Sequence, residues 1–183
     1  YTREALAESL LDQLEAGRMD VLFFPLPQTR AQLTEMALFR EPLYVVTPES
    51  HPIAQRQQVE PTDLAGEIVL SLEPGHRLYD QIKRICDEFG AHLSHDYEGT
   101  SLDTIRHMIA MGMGISLMPA LYVRSEVEPQ DQVKATPLAE ITPSRTIGMV
   151  WRRSSVRGGD FLTLGRSIQD ILATHVPELR ILD

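Results

Sequence analysis

The chain reads as an α/β protein, because amphipathic helical stretches alternate along it with short apolar runs of strand length. Two further observations support this. Glycines stand where three of those helices must stop (Gly17, Gly90 and Gly112), and 43% of the 183 residues are hydrophobic, enough for a sizeable core. Alternation of this kind implies a mainly parallel sheet covered on both sides.

Residues 3–16 place Leu6, Leu10, Leu11 and Leu14 at helical spacing, closed by Gly17. Residues 19–24 read as a buried strand ended by Pro25 and Pro27. Residues 38–46 are extended, interrupted by Pro42, and 48–58 form a polar loop. One helical turn at 61–65 precedes a strand at 67–72. The turn Glu73-Pro74-Gly75 then leads into a helix over 78–89, apolar through Leu78, Ile82, Ile85 and Phe89. A strand at 92–98 and a helix at 102–111 follow, the latter using Leu102, Ile105 and Ile109. Gly112 and Gly114 make a tight connection to a strand at 115–118, which Pro119 terminates. Strands at 133–136 and 146–151 precede a closing helix at 160–175, whose face of Leu164, Ile168 and Ile171 is expected to pack inward.

Composition bounds the function. No run approaches the ~20 apolar residues of a membrane span, so no membrane association is expected. The opening Tyr1-Thr2-Arg3-Glu4 lacks the basic start and apolar stretch of a signal peptide and reads as a fragment. A lone cysteine, Cys86, excludes a disulfide within the chain and any multi-cysteine metal site, and fits a reducing, cytoplasmic setting. Net charge is −9, opposite to the basic excess of a surface that neutralises phosphates, so the chain by itself is not expected to bind DNA.

Two segments could carry chemistry. In Gly99-Thr100-Ser101-Leu102-Asp103 the threonine precedes an acid by three residues, which places Thr100 at a helix N-cap. Free N–H groups there favour an anion, although a plain cap explains the pattern as well. Gly75-His76-Arg77-Leu78-Tyr79-Asp80 puts a titratable ring, a cation and a carboxylate within one turn at another helix start. Two such N-termini at the ends of neighbouring strands would face one crevice, the usual ligand position in open α/β sheets; an exposed turn is the alternative. Cys86 lies on the apolar face of its helix and reads as structural, since a reactive thiolate needs exposure and positive charge.

Metal and catalytic patterns are weak. His92 and His95 fall on opposite faces of a strand, and His107 reads as a surface pair with Asp103. No nucleophile elbow, phosphate loop or His-Glu-x-x-His occurs, and Gly112-Met113-Gly114 ends a helix rather than following a strand. Arg152-Arg153 reads as a solvated strand end. No enzyme, no metal and no cofactor are expected.

The run from Thr100 to Pro119, a helix leading through Gly112-Met113-Gly114-Ile115 into a strand ending in proline, resembles the effector domain of LysR-type transcriptional regulators. Leu14-Glu15-Ala16-Gly17-Arg18-Met19-Asp20, Phe39-Arg40-Glu41-Pro42-Leu43 and His51-Pro52 match further signposts of that family in order, so the resemblance spans essentially the whole chain. Leu72-Glu73-Pro74-Gly75-His76, Asp80-Gln81, Thr100-Ser101-Leu102 and Arg145-Thr146-Ile147-Gly148 are similar to its peroxide-sensing OxyR branch. In that branch a sensing cysteine follows the Gly-His pair and a resolving cysteine lies nine residues later. Here Cys86 holds the resolving position but Arg77 the sensing one, and Ala7 stands where the branch carries a hydroxyl.

The resemblance implies a two-lobed, periplasmic-binding-protein-like domain, each lobe a Rossmann-like sheet flanked by helices. Residues 1–40 and 146–183 would form lobe I, lacking its first strand and helix, and 41–145 lobe II. The winged helix-turn-helix, through which alone DNA would be bound, is absent from the chain. A small-molecule or redox effector would sit in the cleft at Thr100, Ser101, His76, Arg77, Asp80 and Arg145. Pairing into a homodimer through this domain, and a tetramer at full length, are implied as well. A guanidinium cannot attack peroxide. Arg77 therefore either turns the site into a non-redox pocket for an anionic effector or was introduced to lock one redox state, for which serine is the usual choice. A solute-binding protein of the same architecture is the alternative class.

Overall fold

The computed structural model describes all residues except 100, 129–131, 140–142 and 183, and describes residues 96–99 by their backbone alone. It divides into two units, Tyr1–Glu41 with Ser144–Asp183, and Pro42–Pro143. No helix of the described residues is long and apolar enough to cross a membrane.

In the first unit, α1 (Ala7–Glu15) buries Leu11 and Leu14 and precedes β1 (Val21–Leu26). β1 runs antiparallel to β7 (Ser144–Arg152), from Val21 opposite Trp151 to Leu26 opposite Thr146. β7 also adjoins the long strand β2 (Leu33–Pro48), and β8 (Arg180–Ile181) pairs with β2 at Phe39 and Arg40. Two expectations change here. β1 alternates, with Leu22 and Phe24 buried and Phe23 55% exposed, so it is half-buried rather than buried throughout. Pro25 lies within β1 opposite Ile147 instead of ending it; among the described residues β1 pairs only with β7, and an edge strand tolerates a proline.

The closing helix α5 (Gly158–His175) departs further from its expected face. It buries Phe161 and Gly165, while Leu164 and Ile171 stay 44% and 58% exposed. The helix carries two adjacent apolar stripes, and close approach selects the one containing Gly165. A Cβ there would lie 2.5 Å from Met36 Sδ. Phe161 tilts against Trp151 at 5.9 Å, and the Gln169 amide donates to the carbonyls of Ala37 and Leu38. Arg152 is not a solvated strand end either, because its guanidinium donates to the carbonyls of Leu14 and Met19 and so ties the end of α1 to β7.

The second unit holds β3 (Ile68–Leu72), α2 (Arg77–Phe89), β4 (His92–Gly99), α3 (Leu102–Ala110), β5 (Ser116–Pro119), α4 (Ala120–Tyr122) and β6 (Val133–Pro137). The last part of β2 lies between β5 and β6, antiparallel to both, with Leu43 opposite Pro119 and Tyr44 opposite Pro137. β3 is parallel to β4 and meets the start of β5 through a parallel bridge at Val69 and Ile115. The expected mainly parallel sheet is therefore realised only around β3 and in a single bridge from Val59 to Leu138. The pairings of β1 with β7 and of β2 with β5, β6 and β8 are antiparallel, and β2 is the strand that runs from the first unit into the second.

Gly114 makes the β3–β5 bridge possible. Its φ is +157°, and a Cβ would meet the Ile68 carbonyl at 2.6 Å. The core below gathers Val45, Leu64, Leu70, Ile82, Ile105, Ile109 and Leu117, all 1% exposed or less. Burying each such side chain contributes about 1.5–3 kcal/mol. α2 presents Leu78, Ile82, Ile85 and Cys86 to this core and ends on Gly90 in the left-handed conformation. After α4 the helix widens into a π-type turn at Val123–Val127, an element without a periodic signal in the sequence.

Candidate functional site

β3 and β4 end side by side, with Ser71 opposite Glu98 and Leu72 opposite Gly99. Each strand is followed within a few residues by a helix, so the N-termini of α2 and α3 open at the same end of the pair. Parallel strands dictate this arrangement, and it concentrates free backbone N–H groups and two positive helix-dipole ends.

On the α2 side, His76 is the N-cap residue in extended conformation, and its side chain does not cap. Its Nε2 lies 3.9 Å from Glu73 Oε1. Arg77 opens the helix half-buried, and Asp80 is exposed in the first turn. On the α3 side Ser101 is the cap: its Oγ accepts the Thr104 N–H at 3.2 Å and lies 3.1 Å from Thr104 Oγ1. The Thr100 prediction itself falls outside the described residues. Serine three before Thr104 satisfies an orphan N–H of the first turn. Asp103 is engaged elsewhere. It accepts the Tyr122 hydroxyl at 2.7 Å, which ties α4 to the first turn of α3 and replaces the expected pairing with His107. Burial, with Asp103 adding to it, pushes the Tyr122 phenol up to about 12.

The structure thus brings His76, Arg77, Asp80 and Ser101 to one end of the second unit. Arg145 belongs to the first unit, and its Nε donates to Glu41 Oε2 at 2.8 Å. Glu41 is fully buried, so this guanidinium balances a carboxylate that water does not reach. Sequence reasoning missed Glu41. Its signal was a single carboxylate inside the apolar extended run from Phe39 to Val46.

The residues 2–170 match the family model described as the LysR substrate binding domain. The chain belongs to this LysR family. It is 39% identical over 175 residues to the DNA-binding transcriptional dual regulator OxyR of Escherichia coli K12, covering 96% of this chain and 57% of that protein. To the hydrogen peroxide-inducible genes activator of Haemophilus influenzae it is 34% identical, over 93% of this chain and 56% of that one. The chain therefore spans little more than half of these curated relatives. Among solved structures, the reduced form of OxyR superposes with a TM-score of 0.84 at 37% identity, covering 96% of this chain and 82% of that one. The reduced OxyR regulatory domain from Pseudomonas aeruginosa does so at 0.82 and 32%, covering 92% and 82%.

Within this LysR-family fold, Cys86 faces the core at 2% exposure. Burial, reinforced by Asp87, pushes its thiol up to about 11, so the thiolate is disfavoured at neutral pH. Arg77 and Cys86 stand nine residues apart on one continuous helix, a rise of about 13 Å, far beyond the span of a disulfide. No group of three or more His, Cys, Asp or Glu residues able to hold a metal occurs among the described residues.

Proposed function

We propose that the chain is the effector-sensing regulatory domain of an OxyR-like LysR-type regulator of transcription, and that its effector is a small anion rather than peroxide acting through a disulfide. The observation that carries the reading is the pair of helix N-termini side by side at the ends of β3 and β4, with Arg77 in the first turn of α2. Free N–H groups and helix dipoles favour negative charge, and a guanidinium adds bidentate pairing to a carboxylate or phosphate. Ser101 supplies a hydroxyl at the same end, while His76 and Asp80 set the local charge. Arg145, held by Glu41, acts in the strands rather than as an effector ligand. Curated relatives are named as a DNA-binding transcriptional regulator and a hydrogen peroxide-inducible genes activator; on that likeness we read the chain as part of a cytoplasmic, non-enzymatic regulator that pairs through this domain and reaches DNA through a segment outside these residues. An anion that binds one arrangement of the domain better than another shifts the population toward it.

Calorimetric titration with a panel of mono- and dicarboxylates and inorganic phosphate tests this. At least one should bind, and Arg77→Ala should weaken it by about tenfold or more, the loss of a charge-assisted pair. Affinity unchanged by that substitution would remove Arg77 from the site.

A further inference from the structure

The sulfur chemistry open to this chain lies outside its cysteine. Cys86 is buried on the inner face of α2. Of the seven methionines, Met118 and Met149 are wholly buried, Met108 is 9% exposed, and Met19, Met36 and Met113 are half-buried. Met111 alone is exposed, at 69%. It directly follows α3, where its N–H donates to the His107 carbonyl, so its position is fixed by the helix end. It borders an open cavity of about 560 Å³ that His107, Ser50, Glu49 and Gln132 also line. The cavity is large enough for a small hydroperoxide and polar enough to hydrate one.

We propose that Met111 is a modification site, the position at which hydrogen peroxide first oxidises the folded chain, giving methionine sulfoxide. The thioether sulfur attacks one peroxide oxygen, the O–O bond breaks and an S–O bond forms. The departing hydroxide takes the proton left on the transferred oxygen and leaves as water, so sulfur loses two electrons and peroxide gains them. The reaction needs no thiolate and no second sulfur, which separates it from the chemistry that a single buried cysteine denies this chain. Ser50 and Gln132 are polar residues lining the same cavity as Met111. The product exchanges a flexible apolar side chain for a polar one with a strong acceptor, at the mouth of a cavity rather than in the core. The proposal is independent of the anion site, because it concerns a different end of α3 and a different reagent.

The test is peptide mass spectrometry of the native chain over a time course in millimolar hydrogen peroxide. The first added oxygen, +16 Da, should map to Met111, at a rate about tenfold above that of the buried Met118 and Met149. In guanidinium the seven methionines should oxidise at similar rates, and in Met111→Leu the fast phase should vanish while circular dichroism stays unchanged. Earlier oxidation of Cys86, or of any other methionine, in the native chain would overturn the assignment. So would a fast phase that persists in Met111→Leu.

Discussion

Glu41 is wholly buried beside Arg145, at the point where β2 leaves the first unit. A buried carboxylate stripped of its cation costs several kcal/mol, whereas removing both charges together is far cheaper. Arg145→Met should therefore lower the unfolding free energy by about 3 kcal/mol in urea titrations, and adding Glu41→Gln should restore part of it. An additive double variant would show that the two groups are not coupled. Cys86 gives a pH-dependent prediction at the same scale. Its thiol is raised from 9.0 to about 11, so the thiol is neutral in both states well below pH 9. As pH rises from 9 through 11, the unfolded chain ionises first and stability falls, by up to about 2 kcal/mol. Cys86→Ala should lose less between pH 9 and 10, measured by denaturant unfolding at each pH. Little of this residue chemistry was legible in the sequence. The motif around Arg145 was visible, but Glu41 lies 104 positions away, and only the pairing of distant strands reveals what the guanidinium neutralises.

Helix periodicity located α1, α2, α3 and α5, and apolar runs located most strands, since local pattern governs both. What periodicity could not decide was which of two adjacent apolar stripes of α5 turns inward. That depended on Gly165 meeting Met36, a contact set by tertiary packing. The site followed the same division. Helix starts at α2 and α3 were readable from turn and capping residues, whereas the capping role of Ser101 was not, because Ser101 and Thr100 each sit three before a bondable group in the sequence. Gly114 was read as part of a tight connection, and the structure supplies the reason. Its missing side chain lets the start of β5 bond to β3 through Ile115 N–H to Ile68 O at 2.9 Å. Gly114→Ala forces a Cβ against that rigid carbonyl, so it should cost about 1–3 kcal/mol and speed hydrogen exchange at the Ile115 amide. Wild-type exchange there in the variant would mean the bridge tolerates the displacement.

The two units differ in how well they cover their own cores. The first gathers a small cluster of Leu11, Leu14, Leu22, Phe24, Leu33 and Val150, and it contains Phe23, Leu162, Leu164 and Ile171, each at least 41% exposed. The second has the larger apolar cluster and is continuous in sequence from Pro42 to Pro143. Unequal burial implies unequal stability, because apolar area removed from water is the main favourable term. Unfolding should therefore proceed in two steps, with the first unit opening at lower denaturant. The chain contains one tryptophan, Trp151, which lies in β7 of that unit, 4% exposed and packed against Phe161. Its fluorescence reports the first unit alone, whereas circular dichroism reports α2 and α3 of the second as well. The fluorescence midpoint should fall below that of the helical signal in urea. The gap should widen in Phe161→Ala, which strips the cover from Trp151 and leaves the second core untouched. Coincident midpoints in both the parent chain and that variant would establish one cooperative unit and remove the argument from core size.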